Sequence, residues 1–512
     1  MPRQNCVTII LRRIFILDKE TFLTRPDRVK NVGEVVLRRP DSYRIRVNLC
    51  RKVNKKCCLS LFKQHLEHLS SIKMNIEQIK QKINELEIDG LAKSSGFQKR
   101  KPKKIDLLGF LGGFWLMILS KEHSLSSWVR NISRLQACLI SKQALDKRLR
   151  KENNLGKKIL DYVLKHPLNK ALQESRHSDL FRTFTNVYLE DSSCISLAPT
   201  LVSIFPGPHN RYGKSATARI QLRLNLLSDL YSNIALSAYR NNDQKYAKEI
   251  LLVLQAGDLA IRDLGYWSLS VFRKISSKGA FFLSRYRYGT HIFDEQEKQI
   301  ELAKYLTKSY KKGQSIVDKS VLVGKTEKLP VRLVAIRAPQ QVILKRRRAA
   351  EKNRDRRLNH SQEYYTLLEW TIFITNIEAS TWSYKELLAA YRCRWRIEMV
   401  FKCWKSKFNF GQLFKIHKRI NPNRAIMTIY LLLAMLTLFY ARWYYYFIKA
   451  VYTQTGKHVS PFKFADFVKE HFWDLFLKPK KWMEFVPLVA YYHTYEKRKR
   501  INHLHFIFNP LG

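Results

Sequence analysis

Asp191, Asp263 and Glu398 are the acids best placed to do chemistry in this chain. Asp191 closes the run Asn186-Val187-Tyr188-Leu189-Glu190-Asp191, and Asp263 closes Leu259-Ala260-Ile261-Arg262-Asp263. Both runs are short and apolar, and each reads as a strand that ends on an acid. Glu398 lies in Tyr391-Arg392-Cys393-Arg394-Trp395-Arg396-Ile397-Glu398, which continues through Phe401-Lys402-Cys403-Trp404-Lys405 and reads as a helix. At about 100° per residue, Tyr391, Arg394, Glu398 and Lys405 fall within a roughly 60° arc. That face offers a carboxylate for a metal, two cations for phosphates and a phenol. Ile397, Val400, Phe401 and Trp404 supply the apolar side that buries the helix. Phosphodiester transfer needs carboxylates that converge on two hard cations about 4 Å apart, and in an open α/β sheet such ligands belong at strand ends. A single strand-end Asp is more often a cap; the combination with the Glu398 helix favours chemistry. Two nearby acids compete poorly. Asp258 would start its strand rather than end it, and Glu190 points to the opposite face from Asp191.

The composition points to a polyanionic partner. Among 512 residues, 93 Lys and Arg stand against 42 Asp and Glu, a formal charge of +51. The excess is chain-wide, with clusters at 99–104, 345–348, 354–357 and 497–500. Such a chain repels itself unless it meets a polyanion, and nucleic acid is the leading candidate. With 46% hydrophobic and 12% aromatic residues, it is a folded binder rather than a solvated basic tail. The eight cysteines are scattered, which argues against a disulfide framework and for a reducing cytoplasm. Cys57-Cys58 with His65 and His68 has the spacing of no ordinary zinc finger. No export signal is visible at the N-terminus. Ala425–Ala441 is apolar enough to imitate a membrane span, but it directly follows the Glu398 helix and reads as a core helix behind a sheet.

These acids must be positioned by a mixed α/β core. Residues 1–73 are basic and without sustained periodicity, and read as an extension that is not part of the working protein. Residues 74–165 read as helices, starting with the pattern Ile76, Ile79, Ile83, Leu86; Ser124 and Ser141 are candidate helix caps. The helix after Ser141 carries Lys142, Lys147 and Arg148, and suits a helix-turn-helix reader of DNA. Beyond residue 180, short apolar runs alternate with helical ones. Within 216–224, Arg219, Gln221 and Arg223 alternate with Ile220, Leu222 and Leu224, which predicts a half-exposed strand with a basic face. Phe281–Arg287 and Leu368–Asn376 read as strands, residues 314–345 keep strand character, and 345–358 form a basic helix or loop. Ser383 and Glu386 make a capping box that starts the helices leading to Glu398.

The spacing Tyr-x2-Arg-x3-Glu-x6-Lys at Tyr391, Arg394, Glu398 and Lys405 resembles the helix that bears the last acid in insertion-sequence transposases of the IS-four type, of the DDE class. Leu189-Glu190-Asp191-Ser192-Ser193 looks like that family's first-acid segment, and Asp263-Leu264-Gly265-Tyr266 its second. The resemblance spans about 75–510. It implies an RNase-H-like catalytic core from 180–275 and 366–450, an inserted mainly β subdomain at 276–365, an α-helical DNA-binding region at 74–165 and a basic aromatic C-terminal region at 451–512. It implies Asp191, Asp263 and Glu398 as catalytic ligands of two Mg²⁺, with Mn²⁺ as a substitute. Arg394 and Lys405 would grip phosphates, and Tyr391 a terminal phosphate. Arg285 would touch the DNA backbone, and Trp370 would stack on a flipped base. The implied partners are double-stranded DNA, as element terminal inverted repeats and target, and a second copy in a synaptic homodimer, not a membrane. The implied setting is the bacterial cytoplasm. An RNase-H-like nuclease or resolvase without strand transfer, or a non-catalytic DNA-binding remnant of a mobile element, are the alternatives.

Overall fold

Short apolar runs between residues 187 and 375 become the strands of one mixed sheet. A computed structural model describes residues 34–38, 44–48, 88–98, 104–120, 122–151, 154–165, 179–210, 213–228, 230–352, 360–408, 410–411, 420–477 and 479–496. The chain divides into two units, Met1–Glu77 and Gln78–Gly512. In the first, β1 (Glu34–Arg38) and β2 (Arg44–Asn48) form an antiparallel hairpin. The Cys57, Cys58, His65 and His68 group and the expected helix over 76–86 lie outside the described residues.

In the second unit the strands are β3 (Val187–Leu197), β4 (Pro206–Asn210), β5 (Gly213–Asn225), β6 (Leu230–Ala238), β7 (Leu259–Arg262) and β8 (Phe281–Arg285). They continue with β9 (Ile292–Phe293), β10 (Gln299–Ile300), β11 (Ile316–Val323), β12 (Leu329–Arg337) and β13 (Trp370–Thr375). Their order across the sheet is β10-β9-β11-β12-β13-β8-β7-β3-β5-β4, with β6 also pairing β5. Only β3, β7 and β8 run parallel to one another; the other pairs are antiparallel. β8 lies between β7 and β13, and β9 to β12 prolong the same sheet, so the strands expected in an insertion over 276–365 are continuous with the core.

Two further differences matter for the site. β3 does not end at Asp191 but runs on to Leu197, held there by antiparallel β5. What ends at Glu190 is its pairing with β7. The expected basic face of β5 is not exposed: Gln221 is 1% and Arg223 2% accessible. Glu190 and Asp243 supply the acceptors that allow these side chains to be buried.

Helices cover both faces. One core joins Leu189, Leu222 and Ile261 to the N-terminal helices, the Glu398 helix and the C-terminal helices. The other joins Ala260, Phe282 and Ile374 to the helix Leu269–Ser277. Three of the N-terminal helices start on side-chain caps: Asp106 accepts from Gly109 N–H, Ser124 from Ser127 N–H and Ser141 from Ala144 N–H. Gly113 lets Leu107–Leu119 lie against Leu125–Gln136, because a Cβ there would stand 2.6 Å from Ile132 Cγ1 and 3.0 Å from its amide nitrogen. The apolar stretch after the Glu398 helix forms Pro422–Met435, a π-helical turn Leu436–Ala441 and Arg442–Thr455. It is long and apolar enough to cross a membrane, yet 83% of its most apolar part is buried inside the protein, as in a core helix.

Candidate active site

Strand register brings the first two acids together. Glu190 pairs with Arg262 across β3 and β7, and Arg262 with Ser284 across β7 and β8. The next residues, Asp191, Asp263 and Arg285, therefore follow one another side by side where the parallel pairing of the three strands ends. Asp191 accepts the Ser192 N–H at 2.8 Å. Asp263 leaves the strand in extended geometry and caps the turn Leu264–Tyr266, with Gly265 N–H at 3.4 Å from its carboxylate. A Cβ on Gly265 would stand 2.9 Å from the Asp243 carboxylate, which would have to shift to admit it.

The third acid arrives on a helix. The Ser383–Glu386 capping box starts Tyr384–Cys393, and Trp395–Lys407 follows after a tight turn at Arg394. Ile397, Phe401 and Trp404 are buried against the sheet, which turns Glu398 toward the aspartates. Arg394 links the set: its guanidinium lies 2.5 Å from Glu398 and 3.7 Å from Asp263. Tyr391 packs on Phe373 with ring centroids 5.0 Å apart, and burial pushes its phenol up to about 12. Lys405, exposed, stands two helical turns beyond Glu398; its charge lowers the Cys194 thiol farther along β3, against the larger upward effect of burial. Arg285 lies over Phe373, 5.8 Å from the ring centre, and its charge reaches Tyr391.

The three acids feel one another's charge. The Asp191 carboxyl is pushed up to about 7, first by burial and then by the negative charges of Asp263 and Glu398, against the Ser192 amide and Arg394, which lower it. A carboxyl held this close to neutrality gains its charge readily only beside a cation. The donors are hard carboxylate oxygens, the type that Mg²⁺ takes, so the donor set fits a divalent cation. Among the described residues, however, no three acid, His or Cys side chains stand close enough to hold one ion together. The Arg394 guanidinium supplies the positive charge between Asp263 and Glu398 instead.

The remaining expected residues separate. Trp370 is 2% accessible, packed in the second core, and offers no ring face to a base as it stands. The exposed aromatic beside the acids is Trp395, 43% accessible, with Lys402 Nζ 3.8 Å from its ring centre. Sequence reasoning missed it, although the helical wheel sets it next to the Glu398 face and off the apolar arc. In the N-terminal helices, Lys142 and Lys147 are exposed, whereas Arg148 turns inward. Its guanidinium donates to the Ile105 carbonyl at 2.7 Å and lies 4.4 Å from the Phe97 ring centre, so it braces the bundle. Asp258 is fully buried and accepts from Asn186 Nδ2 and Gln255 N–H, a turn cap as its place at the strand start implied.

Comparison with known proteins gives the company this chain keeps. Residues 182–436, which hold all three acids, match the family described as Transposase DDE domain. The chain is 27% identical over 415 residues to a transposase for insertion sequence element IS231D from Bacillus thuringiensis subsp. finitimus, covering 76% of this chain and 83% of that one. It is 25% identical over 359 residues to a transposase for insertion sequence element IS1151 from Clostridium perfringens, covering 66% and 75%. A solved piggyBac transposase synaptic complex with hairpin DNA matches at a TM-score of 0.36 and 10% identity, over 79% of this chain and 80% of that one. With residues 182–436 matching a transposase DDE domain and transposases as its relatives, the chain is a DNA transposase.

Proposed function

We propose that this transposase moves an insertion sequence by cut-and-paste, with Asp191, Asp263 and Glu398 as its catalytic acids. The observation that carries the assignment is the β3–β7 register, which sets Asp191 beside Asp263 with Arg394 bridging from Asp263 to Glu398. The strand order β6-β5-β3-β7-β8, three antiparallel strands followed by two parallel ones, supports an RNase-H-like core.

The chemistry is an in-line displacement performed twice. Water attacks a phosphorus at the element end, the P–O3′ bond breaks, and the element keeps a free 3′-hydroxyl. That hydroxyl then attacks a target phosphorus and displaces the target's 3′-oxygen. The three acids would hold two Mg²⁺, which supply an activated nucleophile and stabilise the leaving oxygen. The chain's own groups orient the DNA. Arg394 keeps Asp263 and Glu398 from repelling one another, and its guanidinium is of the type that meets a phosphate. Lys405 continues that cationic line along the helix, and Arg285 with Tyr391 lines the other side of the strand edge. Trp395 offers the exposed ring on which a displaced base could stack. Lys142 and Lys147 present charge for the terminal inverted repeats, and two copies would hold two ends in a synaptic complex. The protein would work on the DNA of a bacterial cytoplasm.

A labelled duplex carrying one element end tests this. With Mg²⁺ the protein should release a 3′-hydroxyl at the element boundary and join it to a second duplex, and Asp263→Asn should do neither. Joining by Asp263→Asn at the parent rate would remove that residue from the site.

A further inference from the structure

On the face of the sheet turned away from Glu398 lies a charge cluster that the candidate catalytic acids do not use. Glu190, Arg223 and Arg262 are 1%, 2% and 0% accessible. One Glu190 oxygen accepts from Arg223 Nε at 2.9 Å, and the other from Arg262 Nη2 at 2.8 Å. Arg262 Nη2 also donates to the Ala247 carbonyl at 2.8 Å, while its Nε and Nη1 have no acceptor among the described residues. Two guanidiniums face one carboxylate, so a net positive charge is buried with part of its hydrogen bonding unmet. Apolar side chains of similar volume often serve stability as well or better than such a triad. Stability alone does not explain it.

Its place in the register does. Glu190 and Arg262 are the last rung of the parallel β3–β7 pairing, and Arg223 faces Glu190 from β5. The residues that follow the rung are Asp191 and Asp263. A parallel ladder is the weaker kind of pairing, and among the described residues the pairing of β3 with β7 ends at this rung. The charge-assisted bonds from Glu190 to both neighbours fix direction as well as distance, which apolar contacts would not do.

We propose that Glu190 and Arg262, braced by Arg223, are positioning residues that set the spacing of Asp191 and Asp263 and so set how tightly the site holds a divalent cation. The proposal rests on those two aspartates being metal ligands. Arg223→Met and Arg262→Met each leave one buried carboxylate with one guanidinium, so they match in buried charge. They differ in that only Arg262→Met cuts the side-chain link between β3 and β7, together with the bond to the Ala247 carbonyl. Mn²⁺ binding to the full chain, read by electron paramagnetic resonance, and thermal unfolding in EDTA separate the cases. Arg262→Met should weaken Mn²⁺ binding about tenfold or more, as loss of a group that orients a ligand does, and Arg223→Met by less than about threefold. Equal Mn²⁺ affinity in the two folded variants would overturn the proposal. A third protein, Glu190→Leu with Arg223→Met and Arg262→Met, guards against destabilised singles: it should unfold no earlier than the parent yet still bind Mn²⁺ about tenfold more weakly. Parent-like affinity in that protein would also overturn the proposal. Asp191→Asn and Asp263→Asn are measured alongside; if both bind Mn²⁺ like the parent, it is the ligand assignment that has failed.

Discussion

Replacing Asp191 by Asn should make the metal-free protein more stable at alkaline pH. The Asp191 carboxyl is raised from 3.8 to about 7, by burial first and by the charges of Asp263 and Glu398. A carboxyl raised in the folded state holds its proton more tightly there than in the unfolded chain. Its contribution to stability is therefore full below about pH 4, declines as pH rises, and is gone above about pH 7. Each pKa unit is worth about 1.4 kcal/mol. Between about pH 5.5 and about pH 8.5 the parent should therefore lose roughly 2 kcal/mol through this one group. Asn has nearly the same shape and no charge, so the variant should lose none of that. Urea unfolding of both proteins in EDTA at the two pH values gives the number as a difference of differences. Mg²⁺ added at the higher pH should restore the parent and leave the variant where it was. The same pH dependence in both proteins, or a parent more stable than Asp191→Asn at the higher pH without metal, would refute the reasoning.

Other substitutions separate structural from DNA-facing roles. Trp370→Ala should cost about 3–5 kcal/mol of stability, as a truncated core aromatic does; a variant that melts like the parent but loses only a hairpin-processing step would restore the base-stacking role. Lys142→Ala and Lys147→Ala should each lower the slope of log affinity against log salt by about one while leaving the melting temperature alone. Arg148→Ala should do the reverse, costing about 1–2 kcal/mol of stability without changing the salt slope. Gly113→Ala should destabilise by about 1–3 kcal/mol in thermal unfolding, because the added methyl meets the Ile132 backbone, which cannot swing aside.

The sequence showed most of what lies along the chain and less of what lies across it. The capping box at Ser383, the caps at Ser124 and Ser141 and the strands around Asp263 and Trp370 are local, and residue types alone disclose them. The helix that carries Glu398 was legible because helical spacing is local too. The length of β3 was not: Ser192, Ser193 and Cys194 look like a turn, and only pairing with β5 draws them into the strand. Arg219, Gln221 and Arg223 alternate as an exposed basic strand would, because a sequence cannot show that Glu190 and Asp243, distant in the chain, wait to receive them. The inward packing of Arg148 and Trp370 was hidden for the same reason. A cation or an aromatic reads as available until its partner is known, and Phe97, Ile105 and Arg337 come from other elements.

Glu398 is the one proposed catalytic acid that a helix rather than a strand brings to the site, and converting it to Gln tests the assignment most directly. Gln keeps the size of the side chain and a partner for Arg394, and removes only the charge. On one labelled element-end duplex, Mg²⁺-dependent cleavage by Glu398→Gln should fall on the order of 10³-fold or more, while binding of the same duplex stays within about twofold. Cleavage at the parent rate by a folded, DNA-bound Glu398→Gln would contradict the account.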